Sequence, residues 1–416
     1  MPLSQAPAIT SASEAPSEDL PRGAIVGLSL AAFGSGMSLR VMDAMLPRLA
    51  AEFQLTLGAA ALVITVFAVA YGLAQLIFGP LGDRFGKYRV VALGCMACAL
   101  TTASCALAPN FGFLLLARTL AGATAASIIP LSMAWIGDVI DYEHRQPVLA
   151  RFLIGQILGL SGGVALGGFA ADHMQWRTPF ILIALVFGVI ALWLLVLNRQ
   201  LPARARQLRH GEGSALARMV SEFGQVLSLP WARVILLTVF AEGAFLYGAF
   251  AFMVSHLHQL HAVSLSLAGQ VVMLYGIGGL LFAFAAPLLV RRLGEVGLCR
   301  WGGIFVTVAF LVVALADAWW WSVPACFLAG LGFYMLHNTL QINATQMAPE
   351  RRGAAVAAFA SSFFIGQSVG IGIDGQLIAL VGTTGVIVLG AFGVWLVSWN
   401  FTRLLRVKRS HAGLEL

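Results

Sequence analysis

Charged residues are scarce in this chain. Aspartate, glutamate, lysine and arginine make up 10% of its 416 residues, whereas ordinary soluble domains have about 25%. Hydrophobic residues make up 59%, well above the roughly 45–50% of soluble domains. This imbalance argues against a soluble enzyme and indicates a membrane protein.

The chain also lacks the motifs of several function classes. It contains no G-x-x-x-x-G-K-[ST] loop, so direct use of ATP is not predicted. The G-x-S-x-G pattern occurs only inside apolar segments, at 159–163 and 366–370, and not at a strand-to-helix turn, so no nucleophile elbow and no hydrolase chemistry is predicted. Its five cysteines lie in or beside apolar segments, and Cys95 and Cys98 have no second Cys or His pair nearby. Packing is therefore predicted for them, with no disulfide, metal or cofactor, and the protein is not expected to be an enzyme.

Long apolar segments are what the chain has instead. A helix needs about 20 apolar residues to cross a hydrocarbon core of roughly 30 Å. Twelve such segments, called spans 1 to 12, are predicted at 23–46, 58–79, 89–108, 111–137, 148–171, 177–198, 231–255, 267–290, 300–316, 319–346, 353–380 and 383–403. They predict an all-α polytopic membrane protein.

An internal repeat divides these spans into two halves. The segment FLIGQILG at 152–159 in span 5 is echoed by FFIGQSVG at 363–370 in span 11, which predicts two pseudo-symmetric bundles of six helices. The predicted domains are a disordered tail at 1–22, a first bundle at 23–198, a basic linker with an interfacial helix at 199–230, a second bundle at 231–403 and a tail at 404–416.

The basic residues predict the orientation of the chain. Most of the 25 lysines and arginines lie in alternate loops, and the positive-inside rule then places both termini in the cytoplasm. A nucleic-acid surface would cluster these charges on one face. We therefore expect a lipid bilayer and a small-molecule substrate as partners, no nucleic acid, and a monomer.

Three motifs resemble those of the major facilitator superfamily. GPLGDRFGKYR at 79–89 resembles its loop motif between spans 2 and 3, and RTLAGATAA at 118–126 resembles its R-x-x-x-G-x-x-x-A motif. GQILGLSGGVALGG at 155–168 is similar to the antiporter motif, with Val164 where that pattern has proline. The resemblance implies an alternating-access transporter of the drug:proton antiporter branch, in the inner membrane of a bacterium.

The loop motif is expected to act as a conformational switch. Gly82 and Gly86 allow a tight turn, and Asp83 can accept hydrogen bonds from a helix N-terminus, which by the resemblance is that of span 11. Arg84 and Arg89 are candidates to pair with Asp138. The predicted switch residues are Gly79, Gly82, Asp83, Arg84, Gly86, Lys87, Arg89 and Asp138. For the basic residues, a role in topology alone stays open.

Four glycines form a stripe on span 5. Gly155, Gly159, Gly163 and Gly167 recur every four residues, and small residues at this spacing let helix backbones approach closely in lipid. Span 8 offers a partner surface at 276–279. Static packing and a sliding contact between the halves are both open interpretations.

Charged residues inside the spans are candidates for proton coupling, because a charge at mid-membrane is costly and is usually functional. Glu242, about ten residues into span 7, is the first candidate. Asp43 in span 1 and Asp374 in span 11 are the others, and a packing role is equally open for Asp374.

Polar and aromatic residues inside the spans are candidates for substrate binding. The set is Arg40, Arg118, Gln75, Gln156, Tyr247, His337, Asn338, Gln341 and Gln367. Arg40 and Asp43 lie three residues apart and can pair, and Arg118 lies at a comparable depth, which leaves one arginine for substrate. His256, His258 and His261 are predicted to lie in a solvated loop rather than to bind a metal.

The sequence thus predicts a secondary transporter that exports small amphipathic organic compounds in exchange for protons. A symporter or uniporter for a small organic anion, with Arg40 and Arg118 holding the carboxylate, is the alternative. A sensor that carries the transporter fold without transporting is a third hypothesis.

Overall fold

The computed structural model describes Pro21, residues 23–206 and residues 215–411. The predicted tail at 1–22 therefore lies almost wholly outside the described residues, as do 207–214 of the linker and 412–416 of the last tail. Throughout the described ranges the secondary structure is helical, with no strand.

Nine helices in this part of the chain are long and apolar enough to cross a membrane. They are Leu57–Phe85, Lys87–Ala106, Phe111–Val139, His144–His173, Thr178–Gln200, Pro230–His261, Leu265–Leu315, Trp319–Gln346 and Pro349–Lys408. The shorter apolar helix Ala24–Arg40 precedes them.

Two of the nine helices each supply two spans. Gly294 (φ 59°, ψ −178°) interrupts the first and Gly382 (φ 68°, ψ 179°) the second, a backbone conformation that only glycine adopts readily. The chain folds back at Gly294. This is shown by Phe282 and Leu298, which lie on either side of the glycine and belong to the same hydrophobic cluster. Together with Ala24–Arg40 this makes twelve crossing segments, which keep the numbers of the predicted spans.

The connection between spans 8 and 9 differs from the prediction. The sequence predicts a loop at 291–299, whereas the structure has continuous helix apart from the break at Gly294. The reason is that one glycine with positive φ redirects the chain without a loop.

Spans 1 and 7 are broken at corresponding points. Span 1 ends its main helix at Arg40, passes through a turn and continues as the helix Leu46–Glu52. Span 7 breaks after Phe250 and continues as the helix Met253–His261. Pro47 lies in the first turn of the second helix, where a missing N–H is tolerated.

The glycine stripe packs span 5 against span 1 of the same half. A Cβ on Gly155 would lie 2.5 Å from the carbonyl oxygen of Ser29, and one on Gly163 would lie 2.8 Å from that of Met37. On Gly159 and Gly167 a Cβ would overlap the carbonyl oxygens of the residues opposite. The stripe therefore makes a tight contact within one bundle, and a different face of span 5 meets span 8, where Gly276 lies against Ser161.

The second half repeats this contact with the same spacing. A Cβ on Gly366 or Gly370 of span 11 would overlap the carbonyl oxygen of Phe240 or Ala244 of span 7. Both pairs lie 211 residues beyond the contacts of Gly155 with Ser29 and of Gly159 with Phe33, the same offset as the echoed segments. The repeat predicted from the sequence is thus a repeat in three dimensions.

The two halves touch at one end of the molecule, called here the Gly58 side. A Cβ on Gly58 of span 2 would overlap the backbone of Gly375 in span 11. A Cβ on Gly168 of span 5 would overlap the carbonyl of Leu265 in span 8. At the opposite end, called the Gly86 side, Gly79 and Gly353 have open space around them.

Asp172 joins the halves on the Gly58 side. Its carboxylate, at the end of span 5, accepts hydrogen bonds from the backbone N–H groups of Leu265 (3.3 Å) and Ser266 (2.6 Å) at the start of span 8. A carboxylate at a helix N-terminus is favourable because it satisfies free N–H groups and complements the helix dipole. The contact stabilises the closed arrangement of this side.

Removal of this carboxylate should loosen the Gly58 side. We expect Asp172→Ala to raise the labelling rate of a Leu265→Cys reporter by an impermeant thiol reagent roughly 2- to 30-fold, the range for losing one such helix-terminal charge. The native cysteines are buried and should contribute little background. Asp317→Ala, at an exposed acid between spans 9 and 10, is the control, and equal rates in the two variants would contradict the assigned role.

Candidate functional site

A cavity lies between the two halves, and its two walls differ in chemistry. The first half contributes Arg40 of span 1 and the small or aliphatic residues of span 5. The second half contributes mostly aromatic residues, with Tyr247 and Phe250 from span 7, Tyr275 from span 8 and Tyr334 from span 10. The hydroxyls of Tyr247 and Tyr275 are 3.2 Å apart.

Arg40 connects the two walls. Its Nη1 donates to Asp43 Oδ2 (3.2 Å) on its own span, and its Nη2 donates to Gln367 Oε1 (3.3 Å) on span 11. Its guanidinium carbon lies 3.8 Å from the ring centroid of Tyr247. The predicted pair with Asp43 is therefore present, and the Arg40 cluster (Arg40, Asp43, Gln367, Tyr247) also spans the gap between the halves.

Arg118 occupies a different environment. It is fully buried, its Nε donates to the carbonyl of Val63 (3.2 Å), and its Nη1 donates to the carbonyl of Ser38 (3.1 Å). It thus links span 4 to spans 2 and 1 inside the first bundle and does not line the cavity. Its charge acts on Asp43, but Arg40 is the arginine that faces the space between the halves.

Glu242 forms a hydrogen-bonded pair with His337. The carboxylate of Glu242 is fully buried, and its Oε2 lies 2.8 Å from Nδ1 of His337 on span 10. His337 is 18% exposed, and its ring packs on Phe333, Phe359 and Phe363. The buried carboxylate is therefore paired with a partly exposed imidazole in an aromatic surrounding, and neither residue is part of the cavity lining described above.

The other candidate residues are more dispersed. Asp374 lies against span 7, where a Cβ on Gly248 would be 2.6 Å from its Oδ2. Gln75 is buried in span 2, while Gln156 in span 5 and the span 10 residues Asn338 and Gln341 are half-buried. These five residues belong to neither the Arg40 cluster nor the Glu242–His337 pair.

The loop motif adopts its tight turn on the Gly86 side. Span 2 ends at Gly86, whose φ is 89°, and Lys87 forms ion pairs with both Asp83 and Asp138. The partner of Asp138 in this structure is thus Lys87, whereas the sequence suggested Arg84 or Arg89, both of which are exposed.

The histidines after span 7 do not all lie in a solvated loop. His256 is fully buried, with Nδ1 2.9 Å from the Thr383 hydroxyl and Nε2 3.0 Å from the carbonyl of Val313. It ties span 7 to spans 9 and 12. In the described ranges no group of three or more His, Cys, Asp or Glu residues is arranged to hold a metal.

The aromatic wall is the main feature that the sequence analysis missed. Tyrosines in membrane proteins concentrate at the lipid–water interface, yet three of the six tyrosines of this chain line the cavity. A signal was present, because Tyr275 and Tyr334 lie well inside predicted spans 8 and 10. Of the aromatic residues that line the cavity, only Tyr247 is among the substrate-binding residues predicted from the sequence.

Two bundles of six helices with a cavity between them are the architecture typical of secondary membrane transporters. Comparison with known proteins identifies the family. The model of the Major Facilitator Superfamily matches residues 28–371, most of the chain, and the chain belongs to this family. It is therefore a transporter and not an enzyme.

Relatives of similar length support this assignment. The "Uncharacterized MFS-type transporter YwfA" of Bacillus subtilis is 25% identical over 363 residues, which cover 87% of each chain. The "Probable sugar efflux transporter" of Pasteurella multocida is 23% identical over 398 residues, which cover 93% of this chain and 95% of that one.

Solved structures share the fold. A mutant of the nucleoside transporter NupG superposes with a TM-score of 0.73 at 14% identity and covers 91% of this chain and 99% of its own. The human organic anion transporter MFSD10 gives a TM-score of 0.67 at 17% identity and covers 93% of this chain and 99% of its own. At such identities the likeness concerns the fold alone.

Proposed function

We propose that this protein exports small amphipathic organic compounds in exchange for protons, and that Glu242 carries the proton. The observation that supports this is the buried Glu242 carboxylate, which is paired with the partly exposed imidazole of His337. A membrane-embedded carboxylate with one histidine partner is the type of group that proton-coupled transporters use.

The cavity chemistry favours an amphipathic compound. Aromatic rings bind apolar surface with few geometric demands, and the charge of Arg40 is balanced by Asp43 at 3.2 Å. A substrate therefore meets a largely apolar wall rather than an uncompensated charge. Small polar contacts from the tyrosine hydroxyls would orient it.

The contacts between the halves support alternating access. The halves are joined on the Gly58 side and free of such contacts around Gly79 and Gly353. With the orientation predicted from the basic residues, this is a state open to the cytoplasm, and export requires the opposite state. The proposal includes a monomer in a bacterial inner membrane, with both termini in the cytoplasm as the positive-inside rule predicts.

Export rather than uptake is supported by the names of relatives. One is called a sugar efflux transporter, and another, the fungal "Efflux pump radE", is 28% identical over 161 residues, or 37% of this chain and 30% of that protein. For this chain the direction of transport is part of the proposal. Antiport is part of the proposal as well, because Val164 stands where the antiporter motif has proline.

Uptake or release of a small organic anion is the second candidate. It is favoured by one observation: Arg40 lines the cavity, and two of its five N–H groups are used by Asp43 and Gln367. The remaining three could hold a carboxylate.

Transport in proteoliposomes tests the proposal. Liposomes with the purified protein would be screened with fluorescent amphipathic compounds under an imposed pH gradient. We expect accumulation that collapses when an ionophore equilibrates the pH. Accumulation that survives the ionophore, or that occurs only with anionic compounds, would reject proton-coupled export and favour the second candidate.

A further inference from the structure

One face of the Tyr247 ring, on the aromatic wall of the cavity, is occupied by Arg40. The guanidinium carbon lies 3.8 Å from the ring centroid, which places it over the ring at stacking distance. The neighbouring rings of Phe250, Tyr275, Phe333 and Phe363 meet Tyr247 at 67–87°. In the described residues, no aromatic side chain stacks in parallel on this ring.

Arg40 can leave this position without separating its ion pair. Its salt bridge is with Asp43, three residues along the same span, so both charges move together and neither is left buried without a partner. What it would lose is the contacts with the rings of Tyr247 and Phe250 and the hydrogen bond to Gln367, and all of these join it to the second half.

We propose that the substrate carries a flat aromatic ring system that stacks on Tyr247 in place of the Arg40 guanidinium. The proposal rests on the proposed function and narrows its substrate class. A flat ring gains the stacking contact, whereas a rounded aliphatic group does not. Because Arg40 also holds Gln367 across the gap, its displacement removes one bond between the halves, so an occupied cavity favours their separation on the Gly58 side.

A binding experiment without a pH gradient tests this. The full-length protein in lipid nanodiscs would be titrated with acridone, a flat neutral ring system, and with 1-adamantanol, a rounded neutral compound. Neutral probes exclude a trivial gain from removing a positive charge. Acridone fluorescence and equilibrium dialysis would report the two affinities.

We expect Arg40→Gln to bind acridone roughly fivefold to tenfold more tightly, since the probe no longer competes with a cation–π contact. Tyr247→Leu should weaken acridone binding at least about tenfold, and 1-adamantanol should change by less than about twofold in both variants. Arg48→Gln, the same change at an exposed arginine outside the cavity, should resemble the wild type. Because Arg40→Gln leaves Asp43 unpaired, the double variant Arg40→Gln/Asp43→Asn repeats the test with no buried charge.

Several results would overturn the proposal. They are weaker or unchanged acridone binding in both Arg40 variants, an equal gain for 1-adamantanol, and no acridone binding by any variant. Weaker binding of an anionic probe in Arg40→Gln would instead indicate that Arg40 holds the substrate directly. The proposed function has a separate test. It would be rejected if flux were independent of the pH gradient, even when the acridone result supports stacking on Tyr247.

Discussion

Glu242→Gln should abolish accumulation against a gradient while leaving exchange of substrate across the membrane intact. For exchange of one proton per substrate, a gradient of two pH units can sustain roughly 100-fold accumulation, because each unit is equivalent to about 1.36 kcal/mol. Glutamine keeps the size and the hydrogen-bonding capacity toward His337 but carries no exchangeable proton. The accumulation ratio of the variant should therefore fall to about one.

Two measurements on the same liposomes separate loss of coupling from loss of folding. Counterflow, in which unlabelled substrate inside drives labelled substrate inward, needs no proton and should continue in Glu242→Gln. Glu52→Gln removes an exposed carboxylate outside the cavity and should accumulate substrate as the wild type does. If Glu242→Gln still accumulates substrate, Glu242 does not carry the coupling proton.

Gly159→Leu should prevent the first bundle from assembling. A side chain there would overlap the carbonyl oxygen of Phe33, and backbone cannot move aside as a flexible side chain can. Even Gly159→Ala should lower the free energy of unfolding by about 1–3 kcal/mol, the usual cost of overpacking. The thermal midpoint of the detergent-solubilised protein, followed by size-exclusion chromatography, is the measurement.

The internal repeat provides a second position at which the same substitution can be tested, and the same two spans provide matched control positions. Gly370→Ala should cost as much as Gly159→Ala, because it occupies the corresponding contact with Ala244 in the second half. Gly162→Ala and Gly372→Ala lie on the same spans where a Cβ meets only ordinary contacts at 3.8–3.9 Å, and both should be nearly neutral. Equal destabilisation by all four alanines would indicate a general loss of glycine flexibility instead of close packing.

The spans and the repeat could be predicted because each leaves a local signal. An apolar run of 20 residues or a glycine every four residues can be recognised without any knowledge of distant partners. The pairing of Arg40 with Asp43 belongs to the same class, since i, i+3 neighbours on a helix are always close.

Contacts between distant spans could not be predicted in this way. Arg118 and Arg40 have similar depths and chemistry, yet one is bonded to carbonyls inside a bundle and the other faces the cavity. That difference depends on how each helix is rotated about its own axis. A span that is apolar on all sides gives no sequence signal for this rotation. The pairing of Glu242 with His337, which are 95 residues apart in the sequence, could not be predicted for the same reason.

The 211-residue repeat has a further consequence for the conformational equilibrium. Its packing is duplicated but its charges are not: Glu242 corresponds to Ala31, and Arg40 corresponds to Ala251. Because corresponding residues of parallel repeats lie at the same depth, each of these charged groups has no charged counterpart at its depth in the other half, and a change in its ionisation or ligand contacts acts on a frame whose packing is otherwise matched. The asymmetry of a few charged side chains, set on a symmetric frame, is therefore where a proton or a ligand can act on the equilibrium between arrangements of the two halves.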